Sequence, residues 1–341
     1  MASKTTGNLN MSEELTIIAP GRVNIIGDHT DYTGGLVLPM AIDLALTIVG
    51  TRGGSTVHLT STEEPEPAVV PLDITDPTAA KPFWARYVAG VVTVNRPAVG
   101  FTGRLSSTIP PGAGLSSSAA LEVGVALATG FDGDAVALAQ ACQEAEQVAS
   151  GVPCGIMDQL SSAAGRAGHA MMIDCHSLAI DYVLMPDDVE VVVIFGHHRQ
   201  LAGSPYAERT QQCAAAEAII GPLRLATLDA VALIEDPVVA MRAHHVITEN
   251  QRVRDFAAAM AIGDYRVAGD LMFDSHQSLR NDFETSTPEM DSLVSSLIVE
   301  RGVYGARMTG GGFGGCVVAL TEPGALADGW HVKASAGARI L

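Results

Sequence analysis

The sequence predicts a globular chain of mixed strands and helices, and three observations carry that prediction. Apolar runs of strand composition open it at LTIIAP, LALTIVG and TVHLT, punctuated by Gly, Asp and Thr. A helix-spaced stretch of good helix formers follows in AVALAQACQEAEQVAS. Strand composition then returns in VEVVVIF at 189–195 and in CVVAL behind a late glycine run. Taken in order, the early runs imply a mixed sheet. The helix over Asp134 to Ser150 stops where Gly151 and Pro153 follow. AERTQQCAAAEAII reads as a helix after the 189–195 strand, and the chain stays helix-rich to about Glu300. The stretch after CVVAL reads as a shortened C-terminal hairpin. No internal repeat or low-complexity linker interrupts the chain, and a domain boundary is placed near residue 185, giving spans of 16–185 and 186–341.

At 341 residues and 48% hydrophobic content the chain can bury enough apolar surface to outweigh its ordering entropy. Its 20 Lys and Arg against 38 Asp and Glu give a formal charge of -18. That field repels nucleic acid backbones and anionic membranes, so a phosphorylated ligand must be held by backbone amides, a helix N-terminus, an isolated arginine or a metal ion. Cys142, Cys154, Cys175, Cys213 and Cys316 are odd in number and lack zinc spacing, which fits reduced thiols. Residues 1–15 carry no apolar signal core and read as a disordered lead, and a cytoplasmic location is expected.

Four segments concentrate the chemistry. IPPGAGLSSSAALEVGVALA, from Ile109, offers Gly112 and Gly114 for close backbone approach, the hydroxyls of Ser116, Ser117 and Ser118, and a helix N-terminus. It reads as a phosphate cradle or as a capped helix after a turn, and it lacks the lysine of a Walker loop. MTGGGFGGCVVAL, from Met308, satisfies G-x-G-x-x-G formally, but it runs into a strand rather than a helix. A turn that lets backbone approach another loop or a ligand is the better reading. APGRVNIIGDHTDYTGGLVLPMAI, from Ala19, crowds Arg22, Asp28, His29 and Asp31 into a connection between strand-like runs. Such density suits hydroxyl recognition, with a solvated loop as the alternative. In GVPCGIMDQLSS, Asp158 stands among apolar residues at the start of a short helix. It is either an ordinary helix-terminal charge or a partly buried carboxylate that needs a partner, for which Arg22 is the arginine whose setting fits.

Together and in this order, the segments resemble the galactokinase branch of the GHMP kinases. GRVNIIGDHTDYTGG is similar to the branch's sugar signature, PPGAGLSSSAALEV to the phosphate loop, and RMTGGGFGGC to the third motif; WARYVAGV, PCGIMDQ, SPYAERTQQC and SLRNDFETSTPEMD extend the likeness along nearly the whole chain. The resemblance implies two α+β domains with the active site in the cleft between them, and ATP-dependent phosphorylation of the anomeric hydroxyl of galactose. By matching position it implies Asp158 as general base with Arg22 orienting the hydroxyl. Asp28, His29, Asp31, Gly155 and Tyr206 match sugar-binding positions alongside that pair. ATP would be bound by Gly112, Gly114, Leu115, Ser116, Ser117 and Ser118, with Trp84 bordering the adenine, and Ser118 and Glu146 would be magnesium ligands. The implied partners are a small-molecule sugar and ATP, with no nucleic acid or membrane, in a monomer or weak oligomer.

One departure stands out. The branch usually has Glu where this chain has Asp28, so a slightly larger or repositioned pocket with weaker discrimination at C6 is expected. A related sugar 1-kinase acting on N-acetylgalactosamine or arabinose, and a non-catalytic galactose or ATP sensor, are the alternatives.

Overall fold

A computed structural model describes residues 14–197 and 205–341. Apart from its last two residues, the lead expected at 1–15 lies outside the described residues, as does Ser204 at the head of SPYAERTQQC. In chain order the first layer comprises β1 (Leu15–Ile26), β2 (Leu36–Arg52), β3 (Thr56–Ser61), β4 (Ala68–Pro71), α1 (Ala85–Asn95), β5 (Phe101–Ser107), α2 (Ser117–Ala128), α3 (Ala135–Ser150), α4 (Met157–Ala164), β6 (His169–Asp174) and β7 (Ile180–Leu184). The second comprises β8 (Glu190–His197), α5 (Tyr206–Ile220), α6 (Pro237–Ala261), α7 (Tyr265–Asn281), α8 (Pro288–Leu297), β9 (Val303–Thr309), β10 (Gly315–Thr321) and β11 (Trp330–Val332); β12 (Arg339–Ile340) closes the list. The architecture is α+β.

Among the described residues one sheet runs β12-β1-β2-β5-β3-β4, with β6 and β7 branching from β2, and the other runs β11-β8-β10-β9. Helices α1 to α4 cover the first sheet, and Ile17, Ile25, Ile48, Val88, Val123 and Leu160 are fully buried between them. Each such side chain contributes about 1.5–3 kcal/mol by leaving water. A second core gathers Leu279, Phe283, Met308 and Val317. Local chemistry sets the helix ends. Asp134 caps α3 by accepting from the Ala137 amide, and Gly151 ends it in the left-handed region. Asp236 caps α6, whose first residue is Pro237.

Two expectations change, and the turn expected at the glycine run is found. Arg22 does not sit in a connection: β1 runs on past it to Ile26, with irregular register against β2 between Pro20 and Arg22 and again between Asn24 and Ile26. A polar side chain there can face the cleft while the backbone stays paired. The glycine run 310–315 links the antiparallel neighbours β9 and β10, so its topology is that of a hairpin. It also makes the expected close approach, because Gly312, at φ +76°, packs so tightly that a Cβ would lie 2.5 Å from the Thr285 carbonyl oxygen. The segment after β10 is not a hairpin. β11 pairs with β8 and β12 crosses to pair with β1, since both sheets present an edge that needs hydrogen bonds.

A polar seam joins the layers below the 27–31 loop. Arg307 Nη1 donates to the Ile25 carbonyl at 3.1 Å, Thr309 Oγ1 to the Asn24 carbonyl at 2.8 Å, and the Gly27 amide to Glu249 Oε1 at 2.9 Å.

Candidate active site

Above that seam lies a cavity of about 290 Å³ whose walls come from both layers. Its floor is a carboxylate held by three donors. Arg22 grips Asp158 with two bonds of 2.7 Å, from Nε to Oδ1 and from Nη2 to Oδ2, and Ser116 Oγ donates to Oδ2 at 2.5 Å. Arg22 is 5% exposed and Asp158 29%, so the arginine is sealed in while the carboxylate keeps a face toward the cleft. The pairing spans 136 residues of chain: β1 delivers the arginine and the first turn of α4 the aspartate. A planar guanidinium suits this fork geometry, which fixes the carboxylate's orientation as well as its position.

Arg22 also organises the neighbouring loop. Its Nη1 donates to the Gly114 carbonyl at 2.7 Å and its amide to the Leu115 carbonyl at 3.1 Å. Ser116 is held at φ +59° and makes no side-chain cap on α2. Its hydroxyl turns to Asp158 instead, leaving the N-terminus of α2 pointing uncapped at the cavity beside Gly112, Ser117 and Ser118. A helix end of this kind carries unpaired amides and positive dipole, a ready site for anionic oxygens.

On the opposite wall His29, at φ +65°, bonds through Nδ1 to the Tyr32 hydroxyl at 3.0 Å, and its ring centroid lies 5.6 Å from that of Tyr206. Asp31 enters only because residue 155 is glycine, where a Cβ would fall 1.9 Å from Asp31 Oδ2. Burial, then the charge of Asp158, pushes the Asp31 carboxyl up to about 7. Asp28 reaches the cavity, yet its carboxylate is occupied: Oδ2 is ion-paired with Arg307 and Oδ1 accepts the Gly310 amide at 2.9 Å. The shorter side chain is thus a tie to β9 and the glycine turn rather than a free acceptor.

At the rim, Ser118 Oγ donates to Glu146 Oε1 at 3.3 Å. Burial, then the charge of Asp158, pushes Glu146 up to about 7. Gln159 Nε2 bridges Glu146 Oε2, at 2.5 Å, and Glu122 Oε2, at 3.1 Å.

The cavity therefore gathers Arg22, Asp28, His29, Asp31, Gly112, Gly114, Leu115, Ser116, Ser117, Ser118, Glu146, Gly155, Asp158 and Tyr206. It does not gather Trp84. That indole is packed into the core at 9% exposure, with Nε1 donating to the Glu66 carbonyl at 3.2 Å, because an apolar ring at the head of α1 gains more from burial than from the cleft. Gly310, noted in the sequence only as part of the formal G-x-G-x-x-G match, also lines the cavity, and sequence reasoning did not single out Gly311, Arg307, Gln159 or Glu122. The last left a signal, being a lone acid in an otherwise apolar helix, one turn below Ser118.

Comparison with known proteins shows what the chain is similar to. The galactokinase galactose-binding signature matches residues 8–52, the GHMP kinase N-terminal domain residues 85–166, and the GHMP kinase C-terminal model residues 256–330. Galactokinase of Homo sapiens is 44% identical over 336 residues, covering 92% of this chain and 85% of the relative; that of Bos taurus is 43% identical with the same coverage. The crystal structure of Lactococcus lactis galactokinase complexed with galactose superposes with a TM-score of 0.89 at 29% identity, covering 96% of this chain and 95% of that one. The strand carrying Arg22, the loop carrying the serines and the helix carrying Asp158 each fall inside a matched model, and the chain belongs to the galactokinase family of the GHMP kinases.

Proposed function

We propose that the chain transfers the γ-phosphoryl group of ATP to the anomeric hydroxyl of galactose, with Asp158 accepting the hydroxyl proton. The observation that carries this reading is the convergence of Arg22 and Ser116 on Asp158, beside the uncapped N-terminus of α2. In-line transfer asks for positioning and charge stabilisation more than covalent chemistry. Asp158 keeps an exposed face for the sugar hydroxyl, and the donors behind it hold its oxygens still. Arg22 adds a fixed positive charge next to the transfer site. His29, Asp31 and Tyr206 line the wall against which the remaining hydroxyls of the sugar would rest, with Asp31 able to donate or accept at neutral pH.

The amides at Ser117 and Ser118 replace the missing Walker lysine as partners for phosphate oxygens. Ser118 and Glu146 would hold magnesium, which supplies charge neutralisation to the phosphates. Two adjacent protein oxygens completed by phosphate and water suit that hard cation, and among the described residues no cluster of three or more His, Cys, Asp or Glu competes with them. The five unpaired cysteines suit a reducing compartment, which supports a cytoplasmic location. Among the described residues no helix is long and apolar enough to cross a membrane.

A coupled ADP-release assay with MgATP, run on galactose, 6-deoxygalactose, N-acetylgalactosamine and arabinose, tests the proposal. Galactose-dependent turnover is expected, and Asp158→Asn should lower kcat by roughly 10²–10⁴-fold with galactose still bound. Sugar binding without turnover on any substrate would turn the reading toward a sensor.

A further inference from the structure

Glu122 is a buried acid that the reaction above does not use. It lies in the middle of α2 at 0% exposure, surrounded by the apolar residues of that helix and its neighbours. Burial pushes its carboxyl well above the ordinary range, with the charge of Glu146 adding to the effect. Such a group is costly to keep inside a core unless its hydrogen bonds serve a purpose.

The bonds it makes are specific. Gln159 has two amide protons, and the structure spends one on Glu122 Oε2 at 3.1 Å and the other on Glu146 Oε2 at 2.5 Å. With Oε2 held this way, Glu146 presents Oε1 to Ser118 Oγ. Were Gln159 turned over, its carbonyl oxygen would face Glu146 and repel it. Glu122 weighs against that choice, since its Oε2 accepts from the amide nitrogen and would face a second acceptor if the amide turned over. Three helices are thereby locked in register at one point: α2 through Glu122 and Ser118, α3 through Glu146, and α4 through Gln159, which follows Asp158 in sequence.

We infer that Glu122 is a positioning residue for the metal site, acting through Gln159 to aim the Glu146 carboxylate at the ion shared with Ser118. This rests on the assignment of Ser118 and Glu146 as magnesium ligands. Groups that orient metal ligands from behind typically govern affinity by 10- to 100-fold, about as much as is asked here.

The test is Mn²⁺ binding to the full chain with galactose and a non-hydrolysable ATP analogue, read from the free-ion electron paramagnetic resonance signal, with galactose affinity measured separately by calorimetry. Glu122→Ala and Gln159→Met should each weaken Mn²⁺ binding about 10-fold or more while galactose affinity is unchanged. Glu122→Gln, which keeps an acceptor oxygen in place, should recover most of the loss. Wild-type metal affinity in Glu122→Ala overturns the inference, as does equal loss of galactose binding, which would mark a role in folding alone. Failure of Glu122→Gln to recover overturns it too, by making charge rather than hydrogen bonding the essential property. Glu146→Ala separates the levels: if it binds Mn²⁺ as the wild type does, the metal assignment itself falls and this inference with it.

Discussion

Arg22 and Asp28 sit six residues apart on the same stretch of chain and face opposite problems. Arg22 is an enclosed cation whose partner reaches solvent, whereas Asp28 and Arg307 form an ion pair with both members buried. Removing one partner of a fully buried pair leaves the other without compensation, so Asp28→Asn should cost about 3–5 kcal/mol in a denaturant unfolding experiment. A loss within error of zero would show that Asp28 is held for the ligand instead. Asp31 supplies a pH dependence. The folded chain keeps a proton on this carboxyl up to about pH 7, while the unfolded chain releases it near the ordinary value of 3.8. Its contribution to stability is thus fully present below about pH 4 and lost as the pH rises through 7. Relative to the wild type, Asp31→Asn should therefore gain in unfolding free energy between pH 4 and 7 and level off above. A difference that stays flat across that window would contradict the assignment.

The elements around the cleft owe their geometry to backbone as much as to side chains. The glycine turn between β9 and β10 rests on Thr285, whose carbonyl accepts the Phe313 amide at 2.8 Å, and the Gly310 amide anchors Asp28. Gly312→Ala would combine a left-handed φ with a Cβ pressed into that carbonyl. It should lower stability by about 1–3 kcal/mol and raise the KM for galactose, read by thermal unfolding and steady-state kinetics. Much at this scale was legible beforehand. Helix α3 announced itself through Asp134 and Gly151, and the Arg22–Asp158 pairing followed from asking what could neutralise an acid among apolar residues. What stayed hidden depended on contacts across long sequence separations. The polar letters of GRVN masked the second half of β1, because alternation is a weak guide where a bulged strand turns side chains into a cleft. Ser116 reads as a phosphate-loop hydroxyl until its left-handed backbone is seen to swing it onto Asp158. The bond from Gln159 to Glu122 bridges 37 residues and has no local pattern at all.

For the molecule as a whole, the last described strand matters most. The Ala338 amide donates to the Ser162 carbonyl at 2.8 Å and the Gly337 amide to the Gly165 carbonyl at 2.7 Å, so the tail satisfies acceptors at the end of α4 while β12 covers the edge of β1. Both elements that meet at Asp158 and Arg22 are thus braced by residues more than 170 positions downstream. A chain ending after Val332 should show lower kcat for a given amount of folded protein and a greater tendency to aggregate, followed by kinetics and light scattering; unchanged values on both counts would make the tail ornamental. The same arrangement sets an order of events during synthesis. A ribosome releases β1 long before β12, so the edge of β1 that β12 covers stays unpaired over the whole interval and is exposed to wrong partners meanwhile. The brace on the elements that carry Arg22 and Asp158 is therefore a late contact, made by residues synthesised long after the pair they steady.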